Sequence, residues 1–329
     1  MNATIRDIAR IAGVTTATVS YVLNRKPNSR ISKATQQKVL KAAKSLDYSP
    51  HLHARSLATG RSQTIATYFV GPLDSVMVDP YTIDILRGIA QKASVSHYAV
   101  QVAVEGHLPH QHGLDGWVCV SARQPMTHTI LQDSPAVYLD PWQDFGSDCF
   151  WARNSEAGRL LAERTSAVHS RVLFLLHEPV AKSPFSYRER FEAFKTAYSR
   201  RHGMRSVSVD HLQPESSAED YGRFVERWIP KMRKSRITLV ACVSDMLASK
   251  VQQLMLRAGM RVPADVAVAG FDNTTHSQMA VPSISTVDLG AEQLGAEAAR
   301  CLIEKIEGRQ THLTAPAPRW IPRASCPIE

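Results

Sequence analysis

Along the first fifth of the chain, apolar residues recur at helical spacing. Ile5, Ile8, Ala9 and Ala12 share one face of a helix that Thr4 can cap and Gly13 can end, since glycine takes positive φ without steric cost. Thr15 caps a second helix running to about Asn24, with Val19, Val22 and Leu23 inward. Ser32 caps a third, whose apolar face carries Val39, Leu40, Ala43 and Leu46. Three short helices with a tight glycine turn between the first two describe a helix-turn-helix, whose second helix is the one expected in a major groove. Pro50 stops the third helix from running on. The stretch from His51 to Thr59, with Ala54, Leu57 and Ala58 on one side and Gly60 as a stop, is too short to hold a helix alone.

From Thr64 the pattern changes. Short apolar runs read as strands: Ile65–Val70, Ala99–Val104, Trp117–Val120, Ala136–Leu139, Val172–Leu176, Leu239–Val243 and Val266–Ala269. Amphipathic helices lie between them, among them Thr82–Ser94, Glu156–Ala167, Tyr187–Arg201 and Met246–Ala258. Alternating strand and helix predicts doubly wound parallel sheets, which take ligands at the carboxyl ends of their strands. The fold class expected is an all-α helix-turn-helix head followed by an α/β body. The expected boundaries are 1–49 for the head, 50–62 for a hinge and 63–329 for the body.

Charge sharpens this picture. The net charge is +9, and residues 1–62 alone hold eleven Lys and Arg against Asp7 and Asp47, so the whole excess sits in the head. A localised basic excess on a helically patterned segment is the electrostatic footprint of a polyanion partner. Hydrophobic residues at 44% and charged residues at 21% fit a soluble globular chain, and no apolar run reaches the roughly 18 residues of a membrane span. The charged, helix-patterned N-terminus is not a signal sequence. Cys119, Cys149, Cys242, Cys301 and Cys326 are scattered and odd in number, which points to a reducing, cytoplasmic setting without a disulfide frame. No nucleotide loop, catalytic triad or zinc motif is present, so no enzyme, metal or cofactor is expected.

The segment "IRDIARIAGVTTATVSYVLN" from Ile5 and the stretch "SPHLHARSLATGRSQTIA" from Ser49 resemble the head and hinge of the LacI/GalR family of bacterial transcription regulators. The resemblance implies that Thr16, Ala17 and Tyr21 face base edges, and that Thr4, Thr15, Thr18, Ser20 and Asn24 contact phosphates, which fix register. Where Tyr21 stands the family most often has Arg, which would fork onto a guanine as Tyr cannot. The resemblance also implies that two hinge segments pair on DNA. Leu57 would then be pushed between base steps in the minor groove, with Ala54 and Arg55 matching the pattern. His51 replaces the usual Asn.

The body resembles the same family in "DPYTIDILRGIAQKA", "DGWVCVS", "YRERFEAF", "VACVSDMLASKVQQLMLRAGMRVPADVAVAGFDNT" and "SISTVD". That implies two Rossmann-like lobes of the periplasmic-binding-protein type. Lobe one is expected over about 63–152 and 287–319, and lobe two over about 153–286 and 320–329. By position, Arg190, Asp272 and Ser244, where the family usually has Asn, are the implied effector contacts. Tyr81 could stack on a ring, and Asp74, Ser75 and Asp140 are weaker candidates. One departure is large: only about a dozen residues, "EGHLPHQHGLDGW", separate the second and third strands, where the family usually has a full helix, so the first lobe is expected to lack one. His107, His110 and His112 in that loop are not expected to form a metal site.

The function implied is a repressor that binds a palindromic double-stranded operator as a homodimer, because one recognition helix reads only a half-site, under control of a small-molecule effector, a sugar or sugar derivative. The alternative is a ligand-independent DNA-binding regulator whose body is a dimerisation scaffold; the shortened first lobe and Ser244 motivate it.

Overall fold

The computed structural model describes residues 4–23, 31–46, 61–71, 73–108, 113–124, 126, 131, 134–142, 144–146, 148–212 and 217–328. Asn24, Ala54, Arg55, Leu57, His110 and His112 lie outside these. The chain divides into two compact units, Met1–Ser62 and Gln63–Glu329.

The first unit contains α1 (Ile5–Ala12), α2 (Thr16–Leu23) and α3 (Lys33–Ser45). Thr4 and Asp7 form a reciprocal capping box at the start of α1, and Gly13 ends it at φ 66°. Ser32 caps α3 by accepting from the Thr35 amide. Ile8, Val19 and Val39, one from each helix, are fully buried and close the core with Ala9, Ala42 and Ala43. Leu40, expected on the apolar face of α3, is instead 53% exposed. The inward row is Val39, Ala42 and Ala43, because small alanines let three short helices approach closely where a second leucine would not fit.

The second unit holds two sheets. The first carries β1 (Thr64–Phe69), β2 (Ala99–Val104), β3 (Gly116–Val120), β4 (Ala136–Leu139) and β5 (Cys149–Phe150) in the order β2-β1-β3-β4-β5, all parallel. Two helices, α4 (Leu73–Val78) and α5 (Pro80–Val95), connect β1 to β2. After β5 the chain passes to α6 (Asn154–Thr165), β6 (Val172–Leu176), α7 (Phe185–His202), β7 (Val207–His211), α8 (Ala218–Ser235), β8 (Leu239–Cys242), α9 (Asp245–Arg257), β9 (Ala267–Phe271), α10 (Thr275–Met279), β10 (Ser285–Asp288), α11 (Ala291–Ile306) and β11 (Arg319–Ile321). The second sheet runs β7-β6-β8-β9-β10 in parallel, the same winding as the first, with β11 antiparallel on the edge. Val172 to Leu176 are all fully buried, as a parallel strand covered on both faces requires.

The lobes exchange helices. α11 follows a strand of the second sheet yet packs along α5 on the first. Gly88 and Gly295 make that contact possible, because a Cβ at either would stand 1.8 and 2.1 Å from a backbone carbonyl oxygen of the opposite helix. Val287 and Asp288 belong to β10, so the crossing to the first lobe begins at Leu289 and Gly290. Residues 105–115 join β2 to β3. Their described part opens as a turn closed by a Val104–His107 bridge, and the adjacent edge strand exposes Ala99 and Gln101 to solvent. No helix among the described residues is long and apolar enough to cross a membrane.

Candidate functional site

In the head, α2 presents Thr16, Ala17 and Tyr21 on its exposed face while Val19 is fully buried on the other. Residues 16, 17, 20 and 21 share one helical stripe, so the side chains expected to meet bases project together. The Thr15 hydroxyl accepts from the Thr18 amide at 3.1 Å and meets the Thr18 hydroxyl at 2.9 Å, capping the helix that carries the stripe. The Thr4 hydroxyl donates to Asp7 Oδ2 at 2.7 Å. Around them Arg6, Arg10, Lys33, Lys38, Lys41 and Lys44 are exposed, which puts the charge excess on the surface of a folded domain.

In the body, the sheets direct their strand ends toward one another across the crossover at Trp151–Arg153. The winding of the second sheet reverses between β6 and β8, and the loops after those two strands part there. His177 follows β6 and Ser244 follows β8, and His177 Nε2 lies 2.8 Å from Ser244 Oγ across the reversal point. Ser244 also caps α9 by accepting from the Leu247 amide. The short side chain at this position is therefore occupied, with His177 filling the space beside it. Burial and the Arg190 charge pull the His177 imidazole down to about 4, so it is neutral at pH 7.

Arg190, on α7, is 1% exposed. Its Nε donates to Asn154 Oδ1 at 2.8 Å, its Nη1 donates to Val243 O at 2.9 Å, and Nη1 also lies 2.9 Å from Asp272 Oδ1. The Nη1 hydrogens are not aimed at that carboxylate oxygen, so Asp272 Oδ1 is charge-paired without an aligned donor. The Tyr187 and Phe271 rings face the guanidinium at 5.3 and 5.4 Å. Asp272 is held at φ 100° and Asp140 at φ 45°. Both backbones are in the left-handed region that L side chains rarely adopt, a strain of about 1–3 kcal/mol that tends to collect at functional positions. Burial pushes the Asp272 carboxyl up to about 6 despite the Arg190 charge.

Asp245, the first residue of α9, is fully buried beside this pair. Its Oδ2 accepts from the Thr274 amide at 2.8 Å, and Gly270 makes room for it, since a Cβ there would stand 2.4 Å from Oδ1. Burial, then the Asp272 charge, moves its carboxyl up to about 7.

Lobe one supplies Tyr81 and Asp140. The Tyr81 hydroxyl donates to Asp140 Oδ2 at 2.7 Å, and the Ala152 amide donates to Asp140 Oδ1 at 2.8 Å. Tyr81 is thus fixed through its hydroxyl as well as its ring. Arg190, Asp272, Ser244 and Tyr81 all gather in this one region. Asp140 is more central than its weak reading from sequence, while Asp74 is exposed on α4. Asn154, Tyr187 and His177 were missed. Their only signals were local: a polar residue ending an all-apolar strand, a helix-opening asparagine, and a tyrosine one turn before Arg190.

Two cavities adjoin the region. One of about 830 Å³ opens at the carboxyl ends of β6 and β7, with His177 in its wall and Leu212 and Phe224 among its lining. The other, about 590 Å³, runs between α5, the start of α11 and lobe two, and reaches Asp272 and Asn273. Both lie in the size range of small-molecule sites.

Comparison with known proteins agrees with this architecture. The profile described as "Bacterial regulatory proteins, lacI family" matches residues 4–51, and that of a periplasmic binding protein-like domain matches residues 163–326. The chain is 26% identical over 338 residues to the HTH-type transcriptional repressor PurR of Photobacterium profundum, covering 93% of each chain. It is 29% identical over 322 residues to the ribose operon repressor of Escherichia coli K12, covering 92% of this chain and 93% of that one. In fold it resembles the Lac repressor dimer bound to operator and the anti-inducer ONPF, with a TM-score of 0.74 at 20% identity over all of both chains.

Proposed function

We propose that the chain is a transcription repressor of the LacI family that binds a palindromic operator as a homodimer and is controlled by a small-molecule effector. The observation that carries this reading is the capped α2 helix with Thr16, Ala17 and Tyr21 on its exposed face, in a unit that holds the chain's whole net charge. In this reading Thr4, Thr15, Thr18, Ser20 and Asn24 fix register on phosphates, and Leu57, flanked by Ala54 and Arg55, wedges into the minor groove. Relatives that are repressors along nearly their full length support it. The test is selection of sites from a random duplex library with the full chain, followed by footprinting. An inverted repeat protected by two chains is expected, and recovery of unrelated sequences would sink the reading.

The effector in this reading sits among Arg190, Asp272, Tyr81 and Ser244. A guanidinium, two acceptor oxygens and flanking aromatic rings suit a ring bearing neighbouring hydroxyls, so a carbohydrate is the proposed class. One observation favours the second reading, a ligand-independent scaffold: Arg190 already donates to Asn154 and Val243 and is charge-paired with Asp272 within the chain itself. Calorimetry of the full chain against sugars and nucleosides separates the two. Heat from at least one, abolished in Asp272→Ala, supports the effector reading, and silence across the panel supports the scaffold.

A further inference from the structure

The cavity of about 830 Å³ at the carboxyl ends of β6 and β7 is lined by lobe-two residues, and Arg190, Asp272, Ser244 and Tyr81 are not among them. One wall is a stripe of α8, where Asp220, Arg223, Phe224 and Arg227 follow at helical spacing. The charges on that side are already engaged. Arg223 pairs with Glu219 and Asp220. Asp210, near the end of β7, takes Arg227 at 3.1 Å and the Trp228 indole N–H at 2.6 Å. Leu212 and Phe224, each 6% exposed, give the cavity an apolar lining.

The loop after β6 forms the other wall, and its charges are not engaged. Glu178 and Lys182 line the cavity, yet neither has an ion-pair partner among the described residues, and they do not pair with each other. His177 gives its Nε2 to Ser244 at 2.8 Å, which leaves Nδ1 as the unused polar atom of its ring among the described residues. The loop itself is held. Ser183, 4% exposed, donates its hydroxyl to Glu178 O at 3.1 Å and its amide to Pro179 O at 3.1 Å, closing a tight turn over Val180–Lys182.

The lining carboxylates Glu178, Asp210 and Asp220 balance Lys182, Arg223 and Arg227, so the cavity suits an occupant without net charge. A singly charged occupant would leave one of the two loop charges unmatched, and a sugar would match neither. A ligand that carries both an ammonium and a carboxylate matches both, and an apolar side chain on it would shield Leu212 and Phe224 from water.

We propose that this cavity is a second ligand site, for a zwitterion of the α-amino-acid type with an apolar side chain. Glu178 takes the ammonium, Lys182 takes the carboxylate, Leu212 and Phe224 take the side chain, and His177 Nδ1 adds a polar contact. The proposal depends neither on the interlobe effector site nor on operator binding.

The test is calorimetry of the full chain with leucine, with N-acetyl-leucine, which lacks the ammonium, and with leucinamide, which lacks the carboxylate. Leucine should bind saturably, and each analogue about ten- to a hundredfold more weakly, the effect of one lost charge-assisted contact. Glu178→Gln should weaken leucine by a similar factor and leave N-acetyl-leucine unchanged. Lys182→Gln should weaken leucine and leave leucinamide unchanged. Glu178 is half-buried and Lys182 exposed, so both variants keep the fold. Amide hydrogen exchange should slow with leucine at residues 178–183 and 220–227. No saturable leucine binding at millimolar concentration, analogues as tight as leucine, variants that weaken all three compounds alike, or exchange slowed at residues 79–87 and 272–275 instead would each overturn the proposal. Silence of the sugar panel or failure of the operator selection would leave this result standing, and the reverse holds too.

Discussion

Arg190 and Asp272 stand 2.9 Å apart with 2% and 5% of their side chains exposed. Two residues whose family positions point separately to the effector are each other's counter-ion. In the proposed site, an effector that takes either one would have to replace that interaction, which would link affinity and conformational response at this pair. Removing one partner of a buried pair strands the other charge. Arg190→Ala should therefore lower the stability of the full chain by about 3–5 kcal/mol, and Arg190→Met/Asp272→Leu by much less. Urea denaturation measures both. A double variant as unstable as Arg190→Ala would show that shape, not charge pairing, governs the site.

Protonation should tune the same region. Burial raises the Asp245 carboxyl to about 7 and the Asp272 carboxyl to about 6, against an ordinary value of 3.8. Their contribution is complete below pH 3.8 and is lost as pH rises through about 6 and 7, because the folded body must then bury a charge the unfolded chain solvates. His177, lowered to about 4 from 6.5, acts oppositely, and its contribution declines as pH falls below 6.5. Two carboxyls outweigh one imidazole, so stability should rise as pH falls from about 7.5 to about 5.5. Asp245→Asn should flatten that slope in urea titrations at the two pH values; an equal slope would remove Asp245 from the account.

Tyr21 is 45% exposed on the α2 stripe. Tyr21→Arg should draw selected sites toward guanine at the facing position, a discrimination of about 1–3 kcal/mol. Sequencing pools selected with both proteins tests this, and identical base preferences would mean that Tyr21 does not read a base.

The exposed lysines and arginines of the head predict steep salt dependence. If a dimer neutralises about six to ten phosphates, log affinity should fall against log salt with a slope near −5 to −9. Fluorescence anisotropy on an operator duplex at several salt concentrations provides the slope, and a value near zero is incompatible with the proposed interface.

Gly158 on α6 is a packing requirement of the site. A Cβ there would stand 2.1 Å from the carbonyl oxygen of Arg190, so Gly158→Ala must push α6 away from α7 at the residue that carries the guanidinium. A loss of about 1–3 kcal/mol is expected on thermal denaturation, together with loss of any effector response. An unchanged midpoint would show that the two helices yield there freely.

Much of this protein was legible before folding. Helical spacing, Thr4, Gly13, Thr15 and Ser32 marked the head, because caps and amphipathic stripes are local properties of a few neighbouring residues. The strands Ala136–Leu139 and Val172–Leu176 appear with the bounds their apolar runs suggest, since a strand buried on both faces must be apolar throughout, and the partly exposed edge strand Ala99–Val104 keeps its expected bounds too. Leu40 was misread because periodicity marks a face but not how closely the next helix approaches it. The interlobe site depended on tertiary structure. Asn154, His177 and Tyr187 carry no sequence signal stronger than many surface residues, and they matter only because two sheets wound alike direct their strand ends at one hinge. The sequence brought Arg190 and Asp272 forward as separate candidates, eighty-two positions apart. That they neutralise each other follows only from the left-handed turn that ends β9 at Asp272 and the packing of α7 against α6 at Gly158, which bring a charge from each into the same buried space.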